Sequence, residues 1–160
     1  MSKLEQLIDT YPRLLRGTGP VIPGYIGAGW HPIVMRLMAG IDALLDDELA
    51  AGFRLIQVKE KFGGLRFYFD LNGRKDFTVD IFGVGRLRIP DKDEDGLPPR
   101  PAELDHINKL ICSAEEEASR TCEACGRPGE LRKGGWVVTL CEHHARIREA
   151  GGQPDFEDGT

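Results

Sequence analysis

The sequence predicts an α+β fold: a small antiparallel sheet, made of a β-hairpin plus one or two strands, packed on helices and followed by a metal-held C-terminal module. Three observations carry this. Ile33, Val34, Leu37, Met38, Ile41, Leu44 and Leu45 recur at helical period. Arg54–Lys61 and Leu65–Asp70 each alternate in polarity, on either side of Gly63-Gly64. Cys122-x2-Cys125 is followed, fifteen residues on, by Cys141-x2-His144.

Taken in order, the chain opens on a short helix. Ser2 can cap it, Leu4, Leu7 and Ile8 share a face, and Pro12 ends it. Arg16–Gly29 is rich in Gly and Pro and reads as a loop, with Val21-Ile22 able to touch the core. Pro32 fits the first turn of the next helix, where a missing N–H costs nothing. Its apolar stripe is expected to pack on the hairpin's apolar face, Leu65, Phe67 and Phe69. Trp30 reads as a core anchor, and Asp46-Asp47-Glu48 with Gly52 closes the region. Phe77–Phe82, after an Asn72-Gly73 turn, and Arg86–Ile89 supply the further strands. Pro90–Pro101 is a polar, proline-rich loop. Its acids do not meet the EF-hand pattern, because Arg100 or Pro101 stands where the bidentate Glu belongs. Leu104, Ile107, Leu110, Ile111, Ala114 and Ala118 stripe a last long helix, on which Cys112 reads as a buried free thiol. The organisation is therefore an α+β core over 1–100, a connecting helix over 101–120, a metal module over 121–150 and an acidic, disordered tail over 151–160.

The metal module follows from its spacing. An x2 separation lets one tight turn aim two side chains at one point, and two such pairs close a tetrahedron of Cys sulfur and His nitrogen about zinc. Gly126 supplies the positive φ that the first turn needs. Trp136–Leu140 reads as a strand leading into the second pair, so two knuckles joined by strands make a zinc ribbon. Cys122, Cys125, Cys141 and His144 are the expected ligands of one structural Zn2+. His143 is the alternative fourth ligand, at a C-x-H spacing that suits a knuckle less well. Four protein ligands leave no open position for water or substrate, which makes a structural ion rather than a catalytic one.

Charge narrows the partners. The net charge is −5, unlike that of a protein that coats DNA. Between residues 120 and 148, however, six basic residues face three acidic ones. Arg127, Arg132 and Lys133 lie on the excursion between the knuckles and are candidate phosphate or partner contacts. Lys59, Lys61, Arg66 and Tyr68 line the polar face of the hairpin, a cationic and aromatic set that suits nucleic acid and equally suits a solvated sheet face. No run of 18 apolar residues occurs, and the first residues lack the apolar segment of a secretory signal, so a cytoplasmic protein is expected. A nuclease with its catalytic Asp-His between the knuckles is disfavoured, because residues 126–140 contain neither. Asp105-His106 reads as exposed helix surface.

Gly29-Trp30, then Gln57-Val58-Lys59-Glu60-Lys61-Phe62-Gly63-Gly64-Leu65-Arg66-Phe67-Tyr68, then Thr121-Cys122-Glu123-x-Cys125-Gly126-x-Pro128-Gly129, Trp136 and Thr139-Leu140-Cys141 resemble a family of small uncharacterised phage and prophage proteins with a zinc-ribbon-like module. The chain departs from it by an extra segment around Ile81–Arg100. The resemblance implies a virus-derived, cytoplasmic zinc protein and carries no activity with it. The expected function is non-enzymatic binding of a host or phage protein, or of a protein–nucleic-acid complex. A nucleic-acid-binding regulator is the alternative.

Overall fold

The computed structural model describes residues 3–15, 24–81, 85–91 and 96–154, and the α+β class holds. Val21-Ile22, the acids at 92–95 and the tail from 155 onward lie outside the described residues.

Helix α1 (Lys3–Thr10) stops before Pro12, which opens a further single turn, α2 (Pro12–Leu15). The Tyr11 hydroxyl donates to the Met35 carbonyl (3.0 Å), and the Arg13 guanidinium reaches the Leu45 carbonyl (2.9 Å), Asp42 and Asp47. A 3-10 turn, Ala28–Trp30, leads into α3 (His31–Leu44), whose Ile33, Val34, Leu37, Met38 and Ile41 are buried. The Asp46-Asp47-Glu48 run does more than end that helix. Asp46 caps a new one, α4 (Asp47–Ala51), accepting the Leu49 N–H at 2.8 Å, and the two acids that follow suit its N-terminal dipole.

Strands β1 (Phe53–Lys61) and β2 (Gly64–Leu71) form the expected hairpin. Its loop is two residues, Phe62-Gly63, both at positive φ, as a type I′ turn requires. A bulge at Ile56 separates the Leu55–Phe69 pair from the Gln57–Tyr68 pair. The extra residue shifts the alternation by one: Phe53 and Leu55 are buried before it, whereas Val58, not Ile56, opposes Phe67 after it. Leu65, Phe67, Phe69 and Leu71 of β2 all enter the core.

The helix packed most closely on β2 is α5 (Ala102–Ala118), and α3 packs chiefly against α5, its buried side chains sharing one core cluster with those of the hairpin. Leu104, Ile107, Ile111, Ala114 and Ala118 have apolar partners on both sides, one face toward the sheet and one toward α3. Cys112 falls off this stripe and is exposed, not buried. Asp105 and His106 are exposed as expected.

Strands β3 (Phe77–Ile81) and β4 (Gly85–Ile89) pair with each other and do not extend β1–β2. Their polar side turns inward. Asp80 takes Arg66 of β2 at 2.9 Å and Lys61 at 3.4 Å; Arg86 bonds Glu115 and Arg88 bonds Asn108, both on α5. Arg100 closes the same layer on Asp76 (2.9 Å), Asp91 (2.8 Å) and Asp105 (2.9 Å), and Arg74 lies 3.5 Å from Asp91. Among the described residues of 81–100, Arg86, Arg88, Asp91 and Arg100 are thus all bonded to the rest of the protein.

Candidate metal centre

Two elements aim the four ligands. After α5 the chain turns through Cys122–Cys125, with Gly126 N–H donating to the Cys122 carbonyl (2.8 Å) and Cys122 N–H to the Arg127 carbonyl (2.7 Å). Gly126 has φ +75°, the conformation expected of it. A short ladder, β5 (Glu130–Arg132) with β6 (Val138–Leu140), then returns the chain. The strand is shorter than Trp136–Leu140, because Gly134 and Gly135, both at positive φ, carry the turn up to Trp136, which stands exposed. Cys141 occupies the N-cap of α6 (Glu142–Glu149), placing His144 three positions on, at the same end of that helix.

The side chains converge. Sulfur to sulfur, Cys125 lies 3.8 Å from Cys141; His144 Nδ1 lies 3.2 Å from Cys141 Sγ and 3.6 Å from Cys122 Sγ. All four donor atoms lie within 4.8 Å of one another. For a tetrahedral zinc bound at about 2.3 Å by sulfur and about 2.0–2.1 Å by nitrogen, the donor-to-donor edges come to roughly 3.5–3.8 Å. The donor set and its size therefore fit a metal ion, and Nδ1 is the imidazole nitrogen that would bind it. His143, one step earlier on α6, packs edge-on against the His144 ring with its centroid 5.0 Å away and stays out of the cluster.

Electrostatics differ across the set. Burial pushes the Cys122 thiol above its ordinary value. Burial opposes ionisation of Cys141 too, but the His144 backbone N–H and imidazole outweigh it and bring that thiol below its ordinary value. Glu123, between the first two ligands, is buried, and burial pushes it up to about 7, against the Thr139 N–H that its carboxylate accepts at 2.8 Å.

The module is docked on the core at two places that the sequence did not disclose. The first is Gly27–Trp30. Gly29 N–H donates to the Glu123 carbonyl (2.9 Å), and the buried Trp30 indole N–H to the Thr121 carbonyl (2.8 Å). A Cβ on Gly29 would stand 2.1 Å from the Cys122 carbonyl oxygen and 2.4 Å from the Gly126 nitrogen; one on Gly27 would stand 2.0 Å from the Glu123 carbonyl oxygen. The second is the hairpin turn, where the Thr139 hydroxyl donates to the Gly63 carbonyl at 2.6 Å. Glycines beside a motif Trp are the one signal that could have pointed to the first contact.

The candidate contact residues divide. Lys59, Lys61, Arg66 and Tyr68 share one face of the hairpin, in the pairs Lys59–Arg66 and Gln57–Tyr68. That face is covered in part: Arg66 is spent on Asp80, and the Arg86 guanidinium lies 5.9 Å from the centre of the Tyr68 ring, with Lys59 at 5.4 Å. On the module, Arg132 bonds Glu142, whereas Arg127 and Lys133 are exposed and have no ion-pair partner among the described residues. Arg127 and His143 border a cavity on the outer side of Cys125 and His144. Comparison with protein-family models, with curated proteins and with solved structures gives no match.

Proposed function

We propose that the chain is a non-enzymatic binding protein of phage or prophage origin, acting in the cytoplasm, in which structural zinc completes a ribbon and fixes a contact surface for a host protein or a protein–nucleic-acid complex. The carrying observation is the convergence of Cys122, Cys125, Cys141 and His144 with no other side chain needed to fill the tetrahedron. A closed donor set gives an ion nothing to activate, so its work is to hold the module in shape. Arg127 and His143 stand beside it, and the module and the hairpin turn docked on it also expose Lys133, Leu131, Trp136 and Phe62; Arg127 and Lys133 have no ion-pair partner among the described residues. Arginine and tryptophan are the residues that most often anchor protein interfaces. No helix among the described residues is long and apolar enough to cross a membrane.

Immobilised protein, wild type against Arg127→Ala/Trp136→Ala, is the test, using bacterial lysate. A partner held by wild type and lost by the variant supports the reading; a partner retained by both places the contact elsewhere. The second reading, a nucleic-acid-binding regulator, is favoured by the exposed Arg127 and Lys133, which have no ion-pair partner among the described residues. It requires a gel shift that weakens steeply with salt.

A further inference from the structure

The β3–β4 ribbon is built inside out. The charged side chains of Asp80, Arg86 and Arg88 face the protein and are bonded there. The opposite side carries Phe77, Val79, Ile81, Leu87 and Ile89, which are 59, 45, 42, 51 and 44% exposed. They form one face by register: Phe77 opposes Ile89, Val79 opposes Leu87, and Ile81 opposes Gly85. A two-stranded ribbon normally shows water its polar side. Here the polar side is consumed by ion pairs, and an apolar patch is left uncovered.

We propose that a second copy of this chain covers that patch, ribbon face on ribbon face. Three features select a copy over a foreign partner. First, the described residues of the face carry no charged side chain, so nothing on it selects a partner of opposite charge, and a chain of net charge −5 can meet its own copy there without setting like charges against each other. Second, the face tapers. One end holds Phe77 beside Ile89, and the other holds Ile81 opposite a glycine. A two-fold axis running across the strands at Val79 and Leu87 sets the thick end of one copy on the thin end of the other, the self-complementarity that an isologous contact demands. Third, the area is of the right order. At roughly 150–200 Å2 per large side chain the exposures leave about 400 Å2 per copy, inside the range of the largest apolar patch on a monomer and about half of one partner's share in a stable interface. A contact of that size places the dimer at the weak end of the range.

The experiment is the solution mass of the zinc-loaded chain by sedimentation, from about 2 to 200 µM, a window suited to a weak interface. Wild type is expected to move toward twice 17.8 kDa with concentration. Val79→Glu and Leu87→Lys are expected to stay at single mass with unchanged far-UV spectra and zinc content, while Trp136→Ala still dimerises. Should both ribbon variants misfold, hydrogen exchange on wild type decides: protection over 77–81 and 85–89 must rise with concentration. A wild-type chain of single mass at the top of the range overturns the proposal. So does a dimer indifferent to both ribbon substitutions, one abolished by Trp136→Ala alone, or exchange in the ribbon that does not change with concentration.

Discussion

His144 stands three positions beyond Cys141, and His143 only two, on a helix whose N-cap is Cys141 itself. One step of α-helix turns a side chain by about 100°, so only one of the two rings faces the sulfurs. Purified protein should hold one zinc per chain by elemental analysis. His144→Ala and Cys141→Ser should lose most of it, and His143→Ala should keep it; the opposite pattern for the histidines would move the fourth ligand. This choice was legible in the sequence because both ligand pairs obey one spacing. The demand on Gly29 was not, since the atoms that forbid a Cβ there belong to Cys122 and Gly126, far along the chain. Gly29→Ala should cost roughly 1–3 kcal/mol by overpacking against backbone that cannot yield, or more if the knuckle is displaced. Zinc retention under competing chelator, with the chemical-denaturation midpoint, would register it; a variant indistinguishable from wild type on both counts would mean the loop is free to move aside.

Between elements, the division of labour is apolar on one side of the hairpin and ionic on the other. Phe67 is buried among Phe69, Leu65 and the face of α5. Phe67→Ala should lower stability by roughly 3–5 kcal/mol, read from urea midpoints at constant slope. A loss within about 0.5 kcal/mol would be that of a surface site. The ionic side predicts a pH dependence. Burial alone would raise Asp76, but the Arg100 guanidinium, the Asp91 N–H and the Asn108 amide together hold it below its ordinary value of 3.8. Asp80 is depressed likewise, by Arg66, Lys61 and Arg86 against burial. Such carboxyls bind fewer protons folded than unfolded. Their stabilisation is complete above the unfolded value and is lost as pH falls through the folded one. Urea midpoints should therefore decline below about pH 4, the unfolded carboxyl range, and Asp76→Asn should flatten that decline. An equally steep fall in the variant would remove Asp76 from the account. The strands of this layer were legible from alternation. Which side they turn inward was not, because alternation marks two faces without saying which meets the protein. Here several bonded guanidinium groups outweigh the usual preference for apolar burial, and no single-strand pattern encodes that sum.

For the molecule as a whole, the metal module is a small unit fastened to the core at Gly27–Trp30 and at Gly63. Thirty residues cannot bury enough surface to stand alone, so an ion held by the four side chains would supply most of the module's folding free energy. Chelation should unfold it and loosen its two docking sites, while α3, α5 and β2 keep their shared core. Hydrogen exchange with and without chelator would check this: protection should vanish over 121–150, fall at 27–30 and 62–64, and persist in 33–41 and 104–118. Uniform loss would mean that the ion governs the entire fold. The module's existence was plain from four residues. Its attachment was hidden, because the contacts run through backbone carbonyls, whose partners no side-chain pattern announces. The attachment has a temporal consequence. Trp30 waits for a carbonyl 91 residues further on, and Gly63 for a hydroxyl 76 residues on. During synthesis Gly29 and Trp30 have no Glu123 or Thr121 carbonyl to bond until residues 121–123 have left the ribosome. The closing of such long loops is slow in itself. Docking of the N-terminal loop is thereby timed by the arrival of the C-terminal module, and a bound ion would make metal supply a clock for that step.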